Sequence, residues 1–369
     1  MMRIYIFILL VLSTYGASAQ ATSCTQTVRL AQSIYEQGRL HELEGVIIKA
    51  LDNNTLNCGQ AEKVSLLKLL TLTYIYLEEP EKADVRMLEL LQTDHYFEIN
   101  PVVDPAEFVA LYRTFRTKEI YRIGATLGAN GSRPNVSSTV TAVELAEGSK
   151  YKYGVSLQFG ASLEVPIRLH LRHSGKDYER LTLHAELLYY QRKFQSTLLV
   201  DRGSNTEGKP LINEFRGIET QNLISLPLLV QYQLDENSTS KKSKYNPYLG
   251  MGLAVDYLLN AKLQGERLIT DYTSVQETSF DFNAIREKIN LSLLLAAGVK
   301  FRVSGGYIIA EARYGYGLTQ VNSNETAFKT EQAAWEQRYA DSIFKVSSLS
   351  ISGAYIVNMF NPKKRSLRK

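Results

Sequence analysis

The pattern of hydrophobic and polar residues changes near Lys118. Between residues 25 and 115, apolar residues recur at spacings of three and four, which predicts amphipathic helices. Pro80 and the loop between Pro101 and Pro105 divide this region into four or five helices. After Lys118 the period falls to two, which predicts strands with one apolar face.

Eight segments alternate in this way, and each is long enough to cross a bilayer as a tilted strand of about 9–11 residues. In the fourth segment, Ile224 and Leu226 lie on one face and Ser225 on the other. The eight predicted strands are Glu119–Asn130, Tyr151–Glu164, Arg180–Lys193, Gln221–Leu234, Pro247–Leu258, Ile289–Val303, Tyr307–Leu318 and Phe344–Asn358.

Loop lengths and aromatic positions separate a membrane barrel from a soluble sandwich, which also alternates. The connections 131–150, 194–220, 259–288 and 319–343 are long, whereas 165–179, 235–246 and 304–306 are shorter. Two belts of aromatic residues are predicted at the strand ends: Tyr121, Tyr232 and Phe301 at one, and Tyr151, Tyr153, Tyr189, Tyr257 and Tyr314 or Tyr316 at the other. Both features are typical of outer-membrane barrels. We therefore expect a mainly β protein: an eight-stranded antiparallel transmembrane β-barrel preceded by a small all-α domain.

The N-terminus predicts export. Arg3 precedes the apolar run Ile4–Leu12, and Ala17-Ser18-Ala19 is a cleavage site, so residues 1–19 are predicted to be a signal peptide. We expect residues 20–117 to be a periplasmic helical domain, 118–360 an outer-membrane barrel and 361–369 a solvated basic periplasmic tail. Contact of that tail with anionic lipid or peptidoglycan is the alternative.

Charge and hydropathy limit the classes of partner and of membrane segment that can be expected. With 42 Lys+Arg against 38 Asp+Glu, the charge gives no reason to expect nucleic acid. Mean hydropathy of −0.18 argues against a bundle of membrane helices. We expect outer-membrane lipid and a periplasmic or outer-membrane protein as partners, and no cofactor.

The chain has two cysteines, Cys24 and Cys58. In an exported protein a disulfide between them can persist, and we expect one. Two unpaired thiols are the alternative. Lipidation of Cys24 is disfavoured because a polar stretch separates it from the apolar run.

The helical region resembles tetratricopeptide-type repeats. Ala31-x-x-x-Tyr35 is followed by Gly38, and the run Thr73–Leu77 is followed by Glu81-Lys82-Ala83. The likeness covers at most two units, and a generic four- or five-helix domain is the alternative. Either form is more typical of a docking surface than of an enzyme.

Three strand segments resemble the PorT-like outer-membrane β-barrel family. They are Leu223-Ile224-Ser225-Leu226-Pro227-Leu228-Leu229-Val230-Gln231-Tyr232, Pro247-Tyr248-Leu249-Gly250-Met251-Gly252 and Tyr314-Gly315-Tyr316-Gly317-Leu318. The resemblance covers residues 121–360. It implies the barrel fold and, since some members serve secretion and gliding, a role in an envelope complex. The helical domain is an addition to the plain barrel of that family.

Charged residues fall on the predicted inner face of the strands. We expect a charge network of Arg122, Glu186, Asp256, Lys300, Arg302, Glu311 and Arg313, with Glu164 and His184 on the same face. Because eight strands leave an interior just wide enough for side chains, a packed polar plug is favoured over a small transport pore. A lipid-modifying enzyme built on His184 or His170 is the remaining alternative. No serine stands in a G-x-S-x-G motif, so we predict no catalytic residues. We also predict no metal site, because the two cysteines have no histidine nearby.

Overall fold

The computed structural model describes residues 22–52, 58–138, 150–170, 177–204, 206–208, 210–234, 244–269, 272–323, 325 and 342–365. The predicted signal peptide, residues 1–19, lies outside the described residues. The chain forms two compact units, one of the residues up to Glu119 with those from Phe360 on, and one of Ile120–Met359.

The first unit contains five helices. They are α1 Thr22–Glu36, α2 Leu40–Asp52, α3 Gln60–Tyr76, α4 Pro80–Thr93 and α5 Ala106–Thr114. Pro80 begins α4, where a proline costs no hydrogen bond because the first turn has no intrahelical acceptor. Among the described residues, no helix has the length and apolar character needed to span a membrane.

The first four helices form two hairpins with the same buried positions. Ala31, Ile34, Leu43, Ile47 and Ala50 are buried, and so are Thr71, Tyr74, Ala83, Met87 and Leu90, each numbered 40 higher. Both connecting turns contain one residue with positive φ, 73° at Gly38 and 58° at Glu78. This spacing is longer than the tetratricopeptide period of about 34 residues.

Cys24 and Cys58 form a disulfide with Cα atoms 5.4 Å apart. Cys24 is buried in the core shared by α1, α2 and α3. The bridge therefore joins α1 to the segment that leads into α3.

The C-terminal residues belong to the helical unit. Strand β1, Phe115–Arg116, pairs antiparallel with β11, Lys363–Lys364. Lys364 forms an ion pair with Asp84 of α4, and the Phe360 ring lies 5.0 Å from that of Tyr96. The side chains of Lys363, Lys364 and Arg365 are exposed, as a solvated tail requires, while the backbone at Lys363 and Lys364 pairs with the open edge of β1.

The second unit is a large antiparallel sheet. Its strands are β2 Tyr121–Ser138, β3 Lys150–His170, β4 Asp177–Ser204, β5 Pro210–Gln233, β6 Tyr245–Ile269, β7 Tyr272–Asp281, β8 Ile289–Val303, β9 Gly306–Gly317 and β10 Ile343–Met359. Pairing runs from β2 through β3, β4 and β5 to β6, then through β8, β9 and β10 back to β2. Among the described residues, strand β7 pairs only with β6. The predicted mainly β, antiparallel architecture is confirmed.

Several predicted loops are strands over part or most of their length: β2 runs on to Ser138, β3 runs on to His170 and β4 begins at Asp177. Most of residues 194–220 extends β4 and β5, and 259–288 holds the end of β6 and all of β7. Inward-facing residues such as Phe194 and Leu198 are buried there, so the two-residue alternation continues past the predicted strand ends. The change of composition above the apolar band, from leucine to threonine, glycine and charged residues, hid this continuation.

The two faces of the sheet reverse the arrangement of a water-soluble protein. On the outer face, Leu157 is 69% and Met251 is 59% exposed, whereas Gln231 on the inner face is 0% exposed. In water, a continuous exposed apolar surface of this kind is unstable. In a bilayer it is the expected lipid-facing wall.

Candidate functional site

Glu164 is the centre of a buried charge cluster inside the sheet. It is 0% exposed, and its carboxylate lies 2.5 Å from Lys300 Nζ, 3.2 Å from an Arg122 guanidinium nitrogen and 3.2 Å from His184 Nδ1. Inward positions on β2, β3, β4 and β8 supply these four groups.

The cluster continues on the neighbouring strands. His184 Nε2 lies 3.0 Å from Glu186, whose other oxygen lies 2.6 Å from Arg313. Arg313 also pairs with Glu311 at 2.6 Å, and the Tyr248 hydroxyl donates to Glu311 at 2.7 Å. The interior charges are thus joined from β2 round to β9.

The cluster pairs its charges internally, with His184 between two of its carboxylates. Three carboxylates, Glu164, Glu186 and Glu311, face three cations, Arg122, Lys300 and Arg313. Removing one member from such a buried set leaves an uncompensated charge in low dielectric, which is strongly destabilising. The arrangement therefore suits a permanent interior filling.

Two residues predicted for this network lie elsewhere. Asp256 belongs to a separate cluster, in which Arg192 lies 3.0 Å and the Ser225 hydroxyl 2.6 Å from its carboxylate. Arg302 lies near the end of β8 and donates to the Tyr307 hydroxyl at 3.1 Å. The predicted single network is therefore two clusters and a rim residue.

Beyond Asp256, the interior contains a large apolar cluster. The buried cluster there is formed by Leu198, Phe215, Leu223, Leu258, Ala261, Leu263, Phe280, Phe282 and Ile285. The turn after β7 folds inward, so that Phe282 and Ile285 are part of this core. This half of the interior differs from the predicted polar plug, because leucine and phenylalanine occupy inward positions of the strand extensions.

One buried ion pair crosses this apolar region. Arg286 donates to both carboxylate oxygens of Glu219 at 2.8 and 2.6 Å. Its guanidinium lies 4.9 Å from the Phe282 ring centre and 5.1 Å from that of Phe344. Sequence reasoning missed both charged residues because they fall in segments predicted as loops.

His184 does not have the surroundings of a catalytic base. It is buried, and each ring nitrogen faces a carboxylate, Glu164 or Glu186. A nucleophilic mechanism needs one of those nitrogens to face the attacking hydroxyl. The side chain of His170, the other candidate, lies outside the described side chains.

The predicted aromatic belts are largely on the outer face. Tyr121, Tyr232 and Phe301 are exposed at one end of the sheet, and Tyr153, Tyr257, Tyr314 and Tyr316 are exposed toward the other. Tyr151 is the exception, since its ring packs inward against Phe344 at 6.3 Å. A register irregularity between β3 and β4, after Tyr153, changes which residues face inward.

In the helical unit, one loop presents apolar side chains from a fixed backbone. Val102 is 92% and Val103 is 74% exposed. The Asn100 amide donates to Asp104 at 2.7 Å, and the Asp104 amide donates back to the Asn100 carbonyl at 2.8 Å. Lys68 Nζ donates to the other Asp104 oxygen at 2.5 Å. Burial opposes ionisation of Asp104, but Lys68 and the Asn100 amide hold its pKa below the usual range.

We expect Asp104→Asn to lower the stability of the helical unit by about 1–3 kcal/mol at pH 7, since it removes a charged acceptor. A carboxyl with a lowered folded-state pKa stabilises fully above its unfolded pKa, and loses that contribution as pH falls through the folded value. The difference between wild type and variant should therefore shrink below the ordinary pKa of aspartate. Thermal unfolding followed by helical circular dichroism at several pH values measures it.

Asp52→Asn is the matched control, because Asp52 is exposed at the end of α2. Its effect should stay within about 0.5 kcal/mol at every pH. A difference at Asp104 that is the same at pH 7 and pH 2 would contradict the ion-pair explanation.

Comparison with known proteins gives one family match. Residues 117–323 match the family model described as outer membrane protein beta-barrel domain. No curated protein sequence matches the chain.

Among solved structures, the chain is similar to Neisserial surface protein A, with 14% identity and a TM-score of 0.31, over 65% of this chain and 97% of that one. It is also similar to Ail of Yersinia pestis, with 11% identity and a TM-score of 0.26, over 64% of this chain and 99% of that one. A third similar structure is OprG from Pseudomonas aeruginosa, with 10% identity and a TM-score of 0.28, over 65% of this chain and 98% of that one.

Proposed function

This chain belongs to the outer membrane protein beta-barrel domain family, and from that premise we propose a non-enzymatic anchoring role in the bacterial outer membrane. Strands β2 to β6 and β8 to β10 form an eight-stranded barrel, and the helical unit lies in the periplasm and docks a partner protein. The predicted signal peptide and the two aromatic belts support this topology.

The filled interior of the sheet is the main observation that supports an anchoring role over a transport pore. Salt-bridged side chains occupy one half, and an apolar cluster with the Arg286–Glu219 pair occupies the other. A conduit would require many of these buried contacts to break together. The barrel is thus better suited to hold a domain at the membrane than to pass a solute.

The loop at Val102 and Val103 is the proposed contact surface of the helical unit. Its backbone is held by Asn100 and Asp104, so that little conformational entropy is lost when the two valines enter a pocket on a partner. The PorT-like resemblance favours a partner within a cell-envelope assembly, such as a secretion complex.

Affinity purification of the full-length protein tests the docking role. Val102→Asp combined with Val103→Asp should remove the partner, because two charges cannot enter an apolar pocket unpaired. Val85→Asp is the matched control, since Val85 is 60% exposed on α4. Recovery of the same proteins with wild type and the double variant would refute docking at this loop. Recovery of the same set with a chain lacking the helical unit would refute the docking role altogether.

A further inference from the structure

The outer face of the strand extensions is concave. Beyond the apolar band, β3 to β7 line an open cavity of about 990 Å³. Its polar lining includes Lys150, Lys152, Gln195, Thr197 and Arg216, with the carboxylates Glu214 and Glu266 beside Arg216. We call this surface the basic platform.

Strand register brings the polar side chains of the basic platform into two rows. Lys152 pairs with Gln195, which pairs with Ile218 on β5. Lys150 pairs with Thr197, which pairs with Arg216. Since directly paired residues share a face, each row presents its side chains to the same side of the sheet.

The lysines of the platform keep their charge available. Arg216 is already paired, at 2.6 Å from Glu214 and 3.9 Å from Glu266. Within the part of the chain that the structure describes, no carboxylate lies within ion-pair distance of Lys150 or Lys152. The same holds for Lys193, which lies outside the cavity lining but next to it, one row nearer the apolar band on β4, and we count it with the basic platform.

The basic platform begins where the lipid-facing residues of β3 end. Tyr153, Val155 and Leu157 are exposed on the outer face directly after Lys152. The Arg133 guanidinium lies 5.8 Å from the centre of the Tyr153 ring, which adds another cation at this level. In the proposed topology, this is the level of the outer-leaflet headgroups.

We propose that the basic platform binds the phosphorylated headgroup of an outer-leaflet lipid. Lysine ammonium groups attract phosphate, and the Gln195 and Thr197 side chains offer hydrogen bonds to headgroup oxygens. The acyl chains of the same lipid lie against the apolar outer wall below. This inference rests on the proposed membrane topology.

Binding of diphosphoryl lipid A to the full-length protein in nonionic detergent tests the inference. We expect the combined variant Lys150→Gln, Lys152→Gln and Lys193→Gln to lose roughly 100-fold in affinity, about fivefold for each lysine. The corresponding triple arginine variant should keep wild-type affinity. Wild type should bind monophosphoryl lipid A more weakly, because one phosphate is missing.

Lys49→Gln, Lys63→Gln and Lys244→Gln together are the matched control, since all three lysines are exposed and lie outside the basic platform. This control should bind as wild type does. The inference would be overturned if the triple glutamine variant, shown to be folded by its heat-modifiable gel mobility, bound diphosphoryl lipid A as tightly as wild type. Competition by inorganic phosphate as effective as that by lipid A would also overturn it, because the ligand would then be the free anion.

Labelling of Lys150→Cys on intact cells separates this inference from the proposed function. The chain's two cysteines are joined in the disulfide, so an impermeant maleimide should react only at the introduced thiol. Labelling without lipid binding would refute the headgroup site alone. Absence of labelling would refute the outward topology, and the headgroup site with it.

Discussion

Replacing Glu164 by glutamine is expected to destabilise the folded protein by about 3–5 kcal/mol, the cost of breaking a buried charge pair. Glu164 faces Lys300, Arg122 and His184 inside the sheet. Without its carboxylate, two carboxylates, Glu186 and Glu311, face the same three permanent cations, so that buried positive charge is left without a partner. Urea unfolding in lipid vesicles, followed by the gel mobility of the folded form, measures the loss.

Adding a second substitution, Lys300→Gln, distinguishes the loss of charge pairing from the loss of packing. Glu164→Gln combined with Lys300→Gln removes one negative and one positive charge together, so the double variant should lose less stability than the sum of the two single variants. Glu36→Gln, at an exposed position of α1, should change stability by no more than about 0.5 kcal/mol. Strict additivity of the two interior substitutions would contradict coupling between Glu164 and Lys300.

The partners of Glu164 show what the alternation could predict. Alternation assigns a residue to a face, and the inward face of Arg122, Lys300 and Arg313 follows from that alone. Lys300 and Glu164 are 136 residues apart in sequence, and their meeting depends on closure of the strand ring. The strand stagger that sets their relative height leaves no trace in a two-residue period.

The separation of Asp256 from the Glu164 cluster cannot be predicted from the alternation, for the same reason. Asp256 faces inward like Glu186, but the register of β5 and β6 places it beside Ser225, at the level of Arg192. The extended strands were missed for a different reason. Above the apolar band both faces are partly polar, so the contrast that reveals a strand fades although the backbone pairing continues.

Replacing Met251 by arginine is expected to destabilise the folded protein by about 2–4 kcal/mol, the cost of a charge on the lipid face near the bilayer midplane. Met251 lies on the outer face of β6, six residues from Tyr257 and six from Tyr245, both exposed on that face. Those tyrosines mark the two proposed membrane interfaces. Unfolding in lipid vesicles by urea measures the difference from wild type.

The control for Met251→Arg is Val85→Arg, at a position with nearly the same exposed fraction but in the helical unit. Met251 is 59% exposed and Val85 is 60% exposed on α4 of the helical unit. If water surrounded both positions, both arginines would cost almost nothing, since exposed substitutions change stability by about 0.5 kcal/mol or less. A large cost at Met251 with none at Val85 supports hydrocarbon around the sheet and water around the helices. A negligible cost at both would refute the membrane-spanning assignment.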